Sequence, residues 1–314
     1  MKTDLRNLAA ALLALGLAIA GGAPRQSEAA RTTARPRNAL TPERLPDGSQ
    51  ALRDAKGTLV PLRAYQRIAS GTLLSDRVLL ELSEPERVVA FTRYAANTPL
   101  GYRYAGKPAI GARDDVERVI ALRPDLLIVS DLVDPNYVAR LREHGVQVFD
   151  VGPMRGLATL LHAIRAIGWL LAAPERAEAY ATTLQARLTA LSPGPKGPRT
   201  LYLARYADKL FAAGGETSYH DVIELAGLTD AAAAHGLTGW PELTAEGVLA
   251  IDPDQLLTRS GMGAALCRHP GLALIRPCQP GGRILELDGA LLDDPGPTML
   301  EAAEAVHRAH RDGS

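Results

Sequence analysis

The sequence predicts an α/β protein with two lobes, each a mostly parallel sheet flanked by helices, joined by one long rigid α-helix. Short apolar segments alternate with helical segments twice along the chain, which is typical of parallel sheets covered on both faces. Between the two runs, residues 157–191 have a helical pattern almost throughout. A chain of 314 residues also exceeds the usual size of a single core, so two lobes are expected.

The first alternation of strands and helices begins near Tyr65. The apolar segments have the length of buried strands and cover residues 67–70, 88–91, 126–129 and 146–151. The helical segments cover residues 73–82, 115–122 and 137–143, and Gly145 ends the last of them. We therefore expect a first lobe over residues 65–173, with its ligands beyond the carboxyl ends of the strands.

Two consecutive helices are predicted in the middle of the chain, over 157–171 and 174–191. Pro174 suits the first position of the second helix. A helix of about 18 residues is about 27 Å long at 1.5 Å per residue, which is enough to span two lobes. With the Ser192–Pro195 segment that ends it, this interlobe helix is assigned to residues 174–195.

The alternation restarts in the last part of the chain, so residues 196–314 are predicted to form the second lobe. The predicted strands cover residues 200–204, 210–213, 255–258 and 283–287. The predicted helices cover residues 221–226, 244–250 and 298–310. Thr244 is expected to be the N-cap of its helix, because its hydroxyl can accept a bond from a free backbone amide.

Residues 1–30 are predicted to be a signal peptide. Lys2 and Arg6 precede an apolar run, Leu8–Ala20, which is short for a membrane span and is followed by small residues. An uncleaved membrane anchor is the alternative. No cysteine lies directly after the run, so a lipoprotein anchor is not predicted and a soluble periplasmic protein is expected. Residues 31–64 are predicted to be a flexible lead-in followed by a hairpin appendage that turns at Ala55–Gly57.

Charge and cysteine content narrow the function classes. The chain has 35 Lys and Arg residues and 35 Asp and Glu residues, a balance that argues against nucleic acid as a partner. The two cysteines, Cys267 and Cys278, are expected to form a disulfide in an oxidising compartment. A redox or metal role is the alternative, although two sulfurs without nearby ligands make a poor metal site.

Several segments carry a resemblance to a known family. Residues 111–129 have the sequence GARDDVERVIALRPDLLIV and resemble a signature of the helical-backbone (class III) periplasmic solute-binding proteins. Residues 141–148, LREHGVQV, and 240–249, WPELTAEGVL, resemble later elements of that family, and Asp252–Asp254 follows at the expected place. The resemblance covers roughly residues 65–310 and implies a binding protein that serves an importer for cobalamin, haem or a ferric siderophore.

The resemblance also implies a role for one acidic residue on each lobe. In this family such residues meet arginines of the permease dimer, and the matching positions are Glu117 and Glu246. Each is predicted to lie in the first turn of a short helix. The alternative is that both acids only stabilise the positive ends of their helices.

The candidate ligand residues lie in loops that follow the predicted strands. Aromatic residues make up only 4% of the chain, yet several fall in these loops, where a planar ligand could stack. Tyrosine, histidine and arginine there offer axial ligands for haem or partners for carboxylates. Helix-start hydrogen bonding for His220 and solvated surface charge for the arginines are the alternatives. The candidates are Arg93, Tyr94, Arg155, Arg205, Tyr206, Tyr219, His220, Trp240 and Met262.

These observations predict a monomeric, exported solute-binding protein of an ABC importer. It would capture haem, a ferric siderophore or cobalamin, so that iron or cobalt comes with the ligand and no intrinsic cofactor is expected. A binding protein for free zinc or manganese is the first alternative, although the seven histidines are scattered. A secreted hydrolase is the second, but Ser218, His220 and Asp221 lie too close in sequence to form a catalytic relay.

Overall fold

The computed structural model describes residues 40–97, 100–111, 116–131, 133–191, 197–292 and 296–312. The predicted signal peptide, residues 31–39, Asp115 and residues 192–195 lie outside the described residues. Among the helices of the described ranges, none is both long and apolar enough to cross a membrane.

The first described elements form a small antiparallel sheet of β1 (Glu43–Arg44), β2 (Gln50–Arg53) and β3 (Leu59–Pro61). The Asp54 carboxylate accepts bonds from the amides of Lys56 and Thr58, which fixes the predicted hairpin turn. The expectation that this hairpin is an appendage is wrong. Leu52 and Val60 are buried in the main hydrophobic core, so the hairpin is packed onto the first lobe.

The first lobe is built on a five-stranded sheet in which every pairing is parallel. Its strands are β4 (Ile68–Ser70), β5 (Val88–Thr92), β6 (Ala109–Ile110), β7 (Leu126–Val129) and β8 (Gln147–Asp150), in the spatial order β6-β5-β4-β7-β8. Its helices are α1 (Leu73–Leu82), α2 (Val116–Ala121) and α3 (Pro135–Glu143). Single 3-10 turns lie at Pro85–Arg87, Ala95–Asn97 and Gly101–Tyr104. The predicted parallel sheet is confirmed.

Two long helices, α4 (Leu157–Leu170) and α5 (Pro174–Leu191), follow the first sheet. One narrow stripe of α5 is buried, while its other faces are exposed: the stripe is Ala177, Ala181, Leu184 and Leu188. This stripe packs against α4 and the C-terminal helix and belongs to a core that also contains residues of both sheets. The helix has the predicted bounds, but it is a packed element of the core rather than a free-standing strut.

The second lobe contains a sheet of six strands, β9 (Arg199–Tyr206), β10 (Lys209–Ala212), β11 (Thr229–Asp230), β12 (Glu242–Leu243), β13 (Gln255–Arg259) and β14 (Arg283–Leu287). Its helices are α6 (Ser218–Leu225), α7 (Ala231–Ala234), α8 (Ala245–Ile251), α9 (Gly263–Cys267), α10 (Gly289–Leu292) and α11 (Met299–Asp312). Single 3-10 turns lie at Leu272–Leu274 and Arg276–Cys278. Strands β11, β9, β13 and β14 pair in parallel, whereas β10 pairs antiparallel with β9 and β12.

The buried apolar residues form three clusters, because successive side chains of each strand point to opposite faces of its sheet. Leu127 and Val129 point to the outer face of the first sheet, and Leu201 and Leu203 to the outer face of the second. The intervening residues belong to the large central cluster, which is continuous from one sheet to the other and includes α4, α5 and α11. This shared core joins the two lobes.

Two details of the second lobe bear on the predictions. Helix α6 begins at Ser218, earlier than predicted, because the Thr217 hydroxyl accepts a bond from the amide of His220 and caps the helix. Cys267 and Cys278 are bonded in a disulfide with their Cα atoms 5.3 Å apart, as predicted.

Candidate ligand-binding cleft

A cavity of about 390 Å³ lies between loops of the two lobes. Its volume falls within the range of small-molecule sites, which is about 300–1,000 Å³. The first lobe contributes residues that follow strands β7 and β8, and the second contributes the loops around the start of α6 and before β12. The lining residues are Asp131, Pro153, Met154, Arg155, Glu216, Thr217, Ser218, Tyr219, Thr238, Gly239 and Trp240.

The rim on the first lobe is held by the end of β8. The carboxylate of Asp150 accepts a bond from the amide of Gly152 at 2.7 Å, and the carbonyl of Gly152 accepts from the amide of Asp131. Burial raises the pKa of Asp150, although the bond from Gly152 opposes this effect. These bonds turn the chain sharply after β8 and bring Met154 and Arg155 to the cavity.

The rim on the second lobe depends on a close approach of two loop segments. Gly214 and Gly215 exchange backbone bonds with residues 237–239. A side chain at Gly214 would meet the backbone of Leu237 at less than 3.0 Å, so only glycine allows this approach. The approach places Trp240 beside the start of α6.

A cluster of three aromatic rings lies at one wall of the cavity, which Tyr219 and Trp240 line directly. The rings of Tyr202 and Tyr219 lie 4.1 Å apart, and Trp240 meets Tyr219 edge-on at 4.8 Å. Tyr202 and Tyr219 are 1% and 5% exposed, whereas Trp240 is 53% exposed. The two buried rings therefore support an indole that remains available for contact with a ligand.

The aromatic surface continues into a neighbouring apolar cavity of about 430 Å³, lined by Tyr206, Phe211, Tyr219 and Trp240. Tyr206 is half exposed and packs against Phe211. The guanidinium of Arg259 lies 5.6 Å from the centre of the Tyr206 ring and donates a bond to its hydroxyl at 2.9 Å. Tyr219 and Trp240 line both cavities. The aromatic walls of the two cavities are therefore one continuous surface on the second lobe.

Of the predicted ligand residues, Arg155, Tyr219 and Trp240 line the first cavity and Tyr206 lines the second. The others are outside the linings of these two cavities: Arg93, Tyr94, Arg205, His220 and Met262.

Three of the outlying candidates have clear structural roles or positions. Arg205 donates bonds to the Ala207 carbonyl and the Asp208 carboxylate, so it braces the turn between β9 and β10. The Nδ1 atom of His220 lies 2.8 Å from the Asp230 carboxylate, which raises the pKa of the imidazole. Met262 is the N-cap of α9.

Sequence reasoning missed several residues that line the cleft, including Asp131, Glu216, Thr238 and Phe211. Glu216 forms an ion pair with Arg155 at 3.3 Å, which connects the two rims across the cavity mouth. The consecutive glycines at 214 and 215 were the available signal, because such a pair often marks a close backbone approach.

The two acids implied by the family resemblance lie on exposed helix starts. Glu117 is in the first turn of α2, is 70% exposed and pairs with Arg140 at 2.9 Å. Glu246 is in the first turn of α8, where its own amide and the Thr244 hydroxyl lower the pKa of its carboxyl. Within the described ranges, no three His, Cys, Asp or Glu side chains cluster as metal ligands.

Comparison with curated proteins gives relatives that are named as binding proteins. A cobalamin-binding protein of Halobacterium salinarum is 24% identical over 79% of this chain and 70% of its own length. An uncharacterized ABC transporter substrate-binding lipoprotein of Bacillus subtilis is 22% identical over 61% of this chain and 63% of its own length.

Solved structures give the same fold. The periplasmic haem-binding protein RhuT from Roseiflexus sp. RS-1, in apo form, is 27% identical, has a TM-score of 0.68 and covers 78% of this chain and 98% of its own. A family model described as periplasmic binding protein matches residues 68–289, which include both sheets and the two cavities. The chain belongs to the periplasmic binding protein family.

Proposed function

We propose that this protein is an exported solute-binding protein that captures a metal tetrapyrrole in the interlobe cleft and delivers it to the permease of an ABC importer. The observation that carries the proposal is the aromatic cluster of Tyr202, Tyr219 and Trp240 beside the cavity. A large planar ring gains apolar contact on such a surface, and the supporting rings lose little freedom when it binds.

Haem is the first candidate ligand. The RhuT structure is that of a haem-binding protein and is 27% identical to this chain. Among the cavity-lining residues, Met154 and Tyr219 carry atoms of the kinds that ligate haem iron. Arg155 offers a cation for a carboxylate at the edge of the ring, in exchange for its exposed pair with Glu216.

Cobalamin is the second candidate, because the relative from Halobacterium salinarum is named a cobalamin-binding protein.

A ferric siderophore has less support. Arg205 is engaged in its own turn, Arg93 is outside the linings of the two cavities, and Arg155 faces Glu216. A polyanionic chelate would need cations that converge on one site. A free zinc or manganese ion and a hydrolytic reaction have no observation in the described residues that favours them.

Glu117 and Glu246 are proposed to contact the permease. Both are exposed acids in the first turn of a short helix, and each lobe supplies one. Their partners within the chain are solvent-exposed, so they can be exchanged for arginines of another protein at low cost.

The proposal is tested by absorption spectra of the purified protein during titration with haemin, cyanocobalamin or ferrichrome, and by calorimetric titration with zinc, whose filled d shell gives no visible band. We expect a saturable, one-to-one spectral change with haemin or cyanocobalamin, and a weaker affinity in a Trp240→Ala variant. Tyr94→Ala is the matched control, because Tyr94 is equally exposed but is outside the linings of the two cavities. Saturation by ferrichrome or zinc, with no change for either tetrapyrrole, would contradict the proposal.

A further inference from the structure

One short hydrogen bond joins the two rims of the cleft behind the cavity. The backbone amide of Leu157, the first residue of α4, donates to the Oδ2 atom of Asp221 at 2.6 Å. Leu157 follows the loop that carries Met154 and Arg155, and α4 packs on α1 and β2 of the first lobe. Asp221 lies in α6, which packs on α11 and β11 of the second lobe.

Helix α4 has no N-terminal cap of its own. Its N-cap residue is Gly156, which has no side chain to accept a bond, and no acidic residue lies in the first turn. A helix start leaves backbone amides unpaired and carries a partial positive charge. The carboxylate of Asp221 supplies both the acceptor and the negative charge, so the cap of α4 comes from the other lobe.

Gly156 makes this contact possible. Its φ of +94° lies in the left-handed region that favours glycine. A side chain at this position would come within 3.0 Å of the Asp221 carboxylate and 3.5 Å of the Thr217 carbonyl. Any larger residue would therefore displace the Asp221 carboxylate from the amide of Leu157 and leave the start of α4 without its cap.

The position of Asp221 carries a cost in stability. Burial raises the pKa of its carboxyl, and the bond from Leu157 only partly opposes this effect. A second contact across the cleft, Arg155 with Glu216, joins two side chains that are more than half exposed. Pairs of that kind contribute about 0–1 kcal/mol, so the bond to Asp221 is the stronger constraint of these two.

We propose that Asp221 is a positioning residue that caps α4 across the cleft and thereby fixes the separation of the two cavity rims. The rims in question are Met154–Arg155 on the first lobe and Ser218–Tyr219 on the second. The consequence for ligand affinity rests on the proposed function, whereas the separation of the rims is a property of the protein alone.

The separation is measured without ligand, by pulsed electron paramagnetic resonance between spin labels at Asn136→Cys and Ala234→Cys. Both positions are exposed, one on each lobe, and the native cysteines are held in their disulfide. We expect one narrow distance distribution in the parent protein. Asp221→Ala should lengthen and broaden it, whereas Asp221→Asn, whose amide oxygen can still accept the Leu157 bond, should stay close to the parent.

Two further variants locate the constraint. Glu216→Ala, which removes the exposed pair with Arg155, should leave the distance unchanged. Gly156→Ala should lengthen it, and should add little when Asp221 is already alanine, because the clash partner is then gone. The proposal is overturned if Asp221→Ala keeps the parent distance, or if Glu216→Ala alone lengthens it. If Asp221→Ala does not fold, an unchanged distance in Gly156→Ala overturns it equally.

The affinity arm uses haemin and cyanocobalamin as probes. Loss of one charge-assisted bond and of the rim position should weaken binding by about tenfold or more in Asp221→Ala. Asp221→Asn should recover most of that loss. If the parent protein binds neither probe, the proposed function fails while the distance measurements still decide the role of Asp221.

Discussion

His220 shows how a residue with the chemistry of a metal ligand is used for structure. Its Nδ1 atom is paired with the carboxylate of Asp230, a buried residue that also caps α7. This contact lies within the second lobe, and His220 is outside the linings of the two cavities. The pairing has a consequence for stability that depends on pH.

The pKa of His220 is raised above its ordinary value of 6.5, first by the hydrogen bond that the imidazole donates to the Asp230 carboxylate. A raised folded-state pKa gives stability that is fully present below the unfolded value and is lost as the pH rises through the folded value. His220→Gln should therefore lower the free energy of unfolding by about 1 kcal/mol near pH 5.5, and by less near pH 8.5. Urea unfolding at the two pH values measures this difference.

His235→Gln is the matched control, because it removes an exposed imidazole at the end of α7. An equal cost for His220→Gln at both pH values would mean that the charged pair does not form.

At the residue scale the sequence identified the kinds of side chain in the cleft better than their positions. Of the predicted ligand residues, Trp240, Tyr219 and Arg155 line the first cavity. Arg205 could not be assigned correctly, because its partner Asp208 lies in a two-residue turn whose conformation depends on the β9–β10 pairing. The roles of Glu216 and Asp221 were not predictable, because their partners, Arg155 and Leu157, come from the other lobe.

At the scale of elements, the two long helices α4 and α5 approach each other closely at Gly168. Gly168 on α4 faces Ala177 on α5, and a methyl group at Gly168 would come within 3.0 Å of the Ala177 side chain. Gly168→Ala should therefore force the helices apart and lower the free energy of unfolding by about 1–3 kcal/mol. Chemical denaturation of the purified variant measures the change.

Gly247→Ala is the matched control for this substitution. Gly247 is also inside a helix, but the nearest atom to an added methyl group is 3.7 Å away. Because alanine is favoured over glycine in helices by about 1 kcal/mol, this variant should be as stable as the parent or slightly more stable. A Gly168→Ala variant that behaves like Gly247→Ala would show that the two helices are not tightly packed.

The elements themselves were largely predictable. Strand β7 and helices α1 and α5 have the bounds that their apolar patterns indicate. The short strands β6, β11 and β12 were missed, because two-residue strands have no period that can be read from a sequence. The antiparallel edge at β10 was also missed, since the direction of pairing is set by the tight turn at Ala207, whose φ is +52°.

At the scale of the whole molecule, delivery of the ligand requires a surface that recognises the permease. Charge reversal in the double variant Glu117→Arg and Glu246→Arg should abolish uptake in cells, because like charges would then face each other at the proposed interface. The affinity for the ligand should stay unchanged, since neither acid lines the two cavities. Uptake assays together with binding titrations separate the two effects.

Glu175→Arg is the control for charge reversal at a helix start, because Glu175 is an exposed acid in the first turn of α5. It should leave uptake intact. Normal uptake by the double variant would mean that Glu117 and Glu246 serve only their own helices.

The division into two lobes was predictable from the repeated alternation of strands and helices, whereas their common core was not. Tyr202 from the second sheet, Phe149 from the first and Ala181 from α5 lie in one hydrophobic cluster. Such contacts join residues far apart in sequence, and no local pattern reports them. The helix between the lobes is consequently held along its length, which favours a cleft of fixed shape over one that opens widely.

Capture of a metal tetrapyrrole in the cleft requires that the ligand binds against Trp240. The chain has two tryptophans, so Trp169→Phe leaves Trp240 as the single tryptophan, whose emission is excited selectively at the red edge of the protein absorption band. Titration of this variant with haemin or cyanocobalamin, corrected for the absorption of the ligand, should quench the emission of Trp240 to a saturating limit at one ligand per protein. The reciprocal variant, Trp240→Phe, should show much weaker quenching. Emission of Trp240 that neither tetrapyrrole changes saturably would contradict the account.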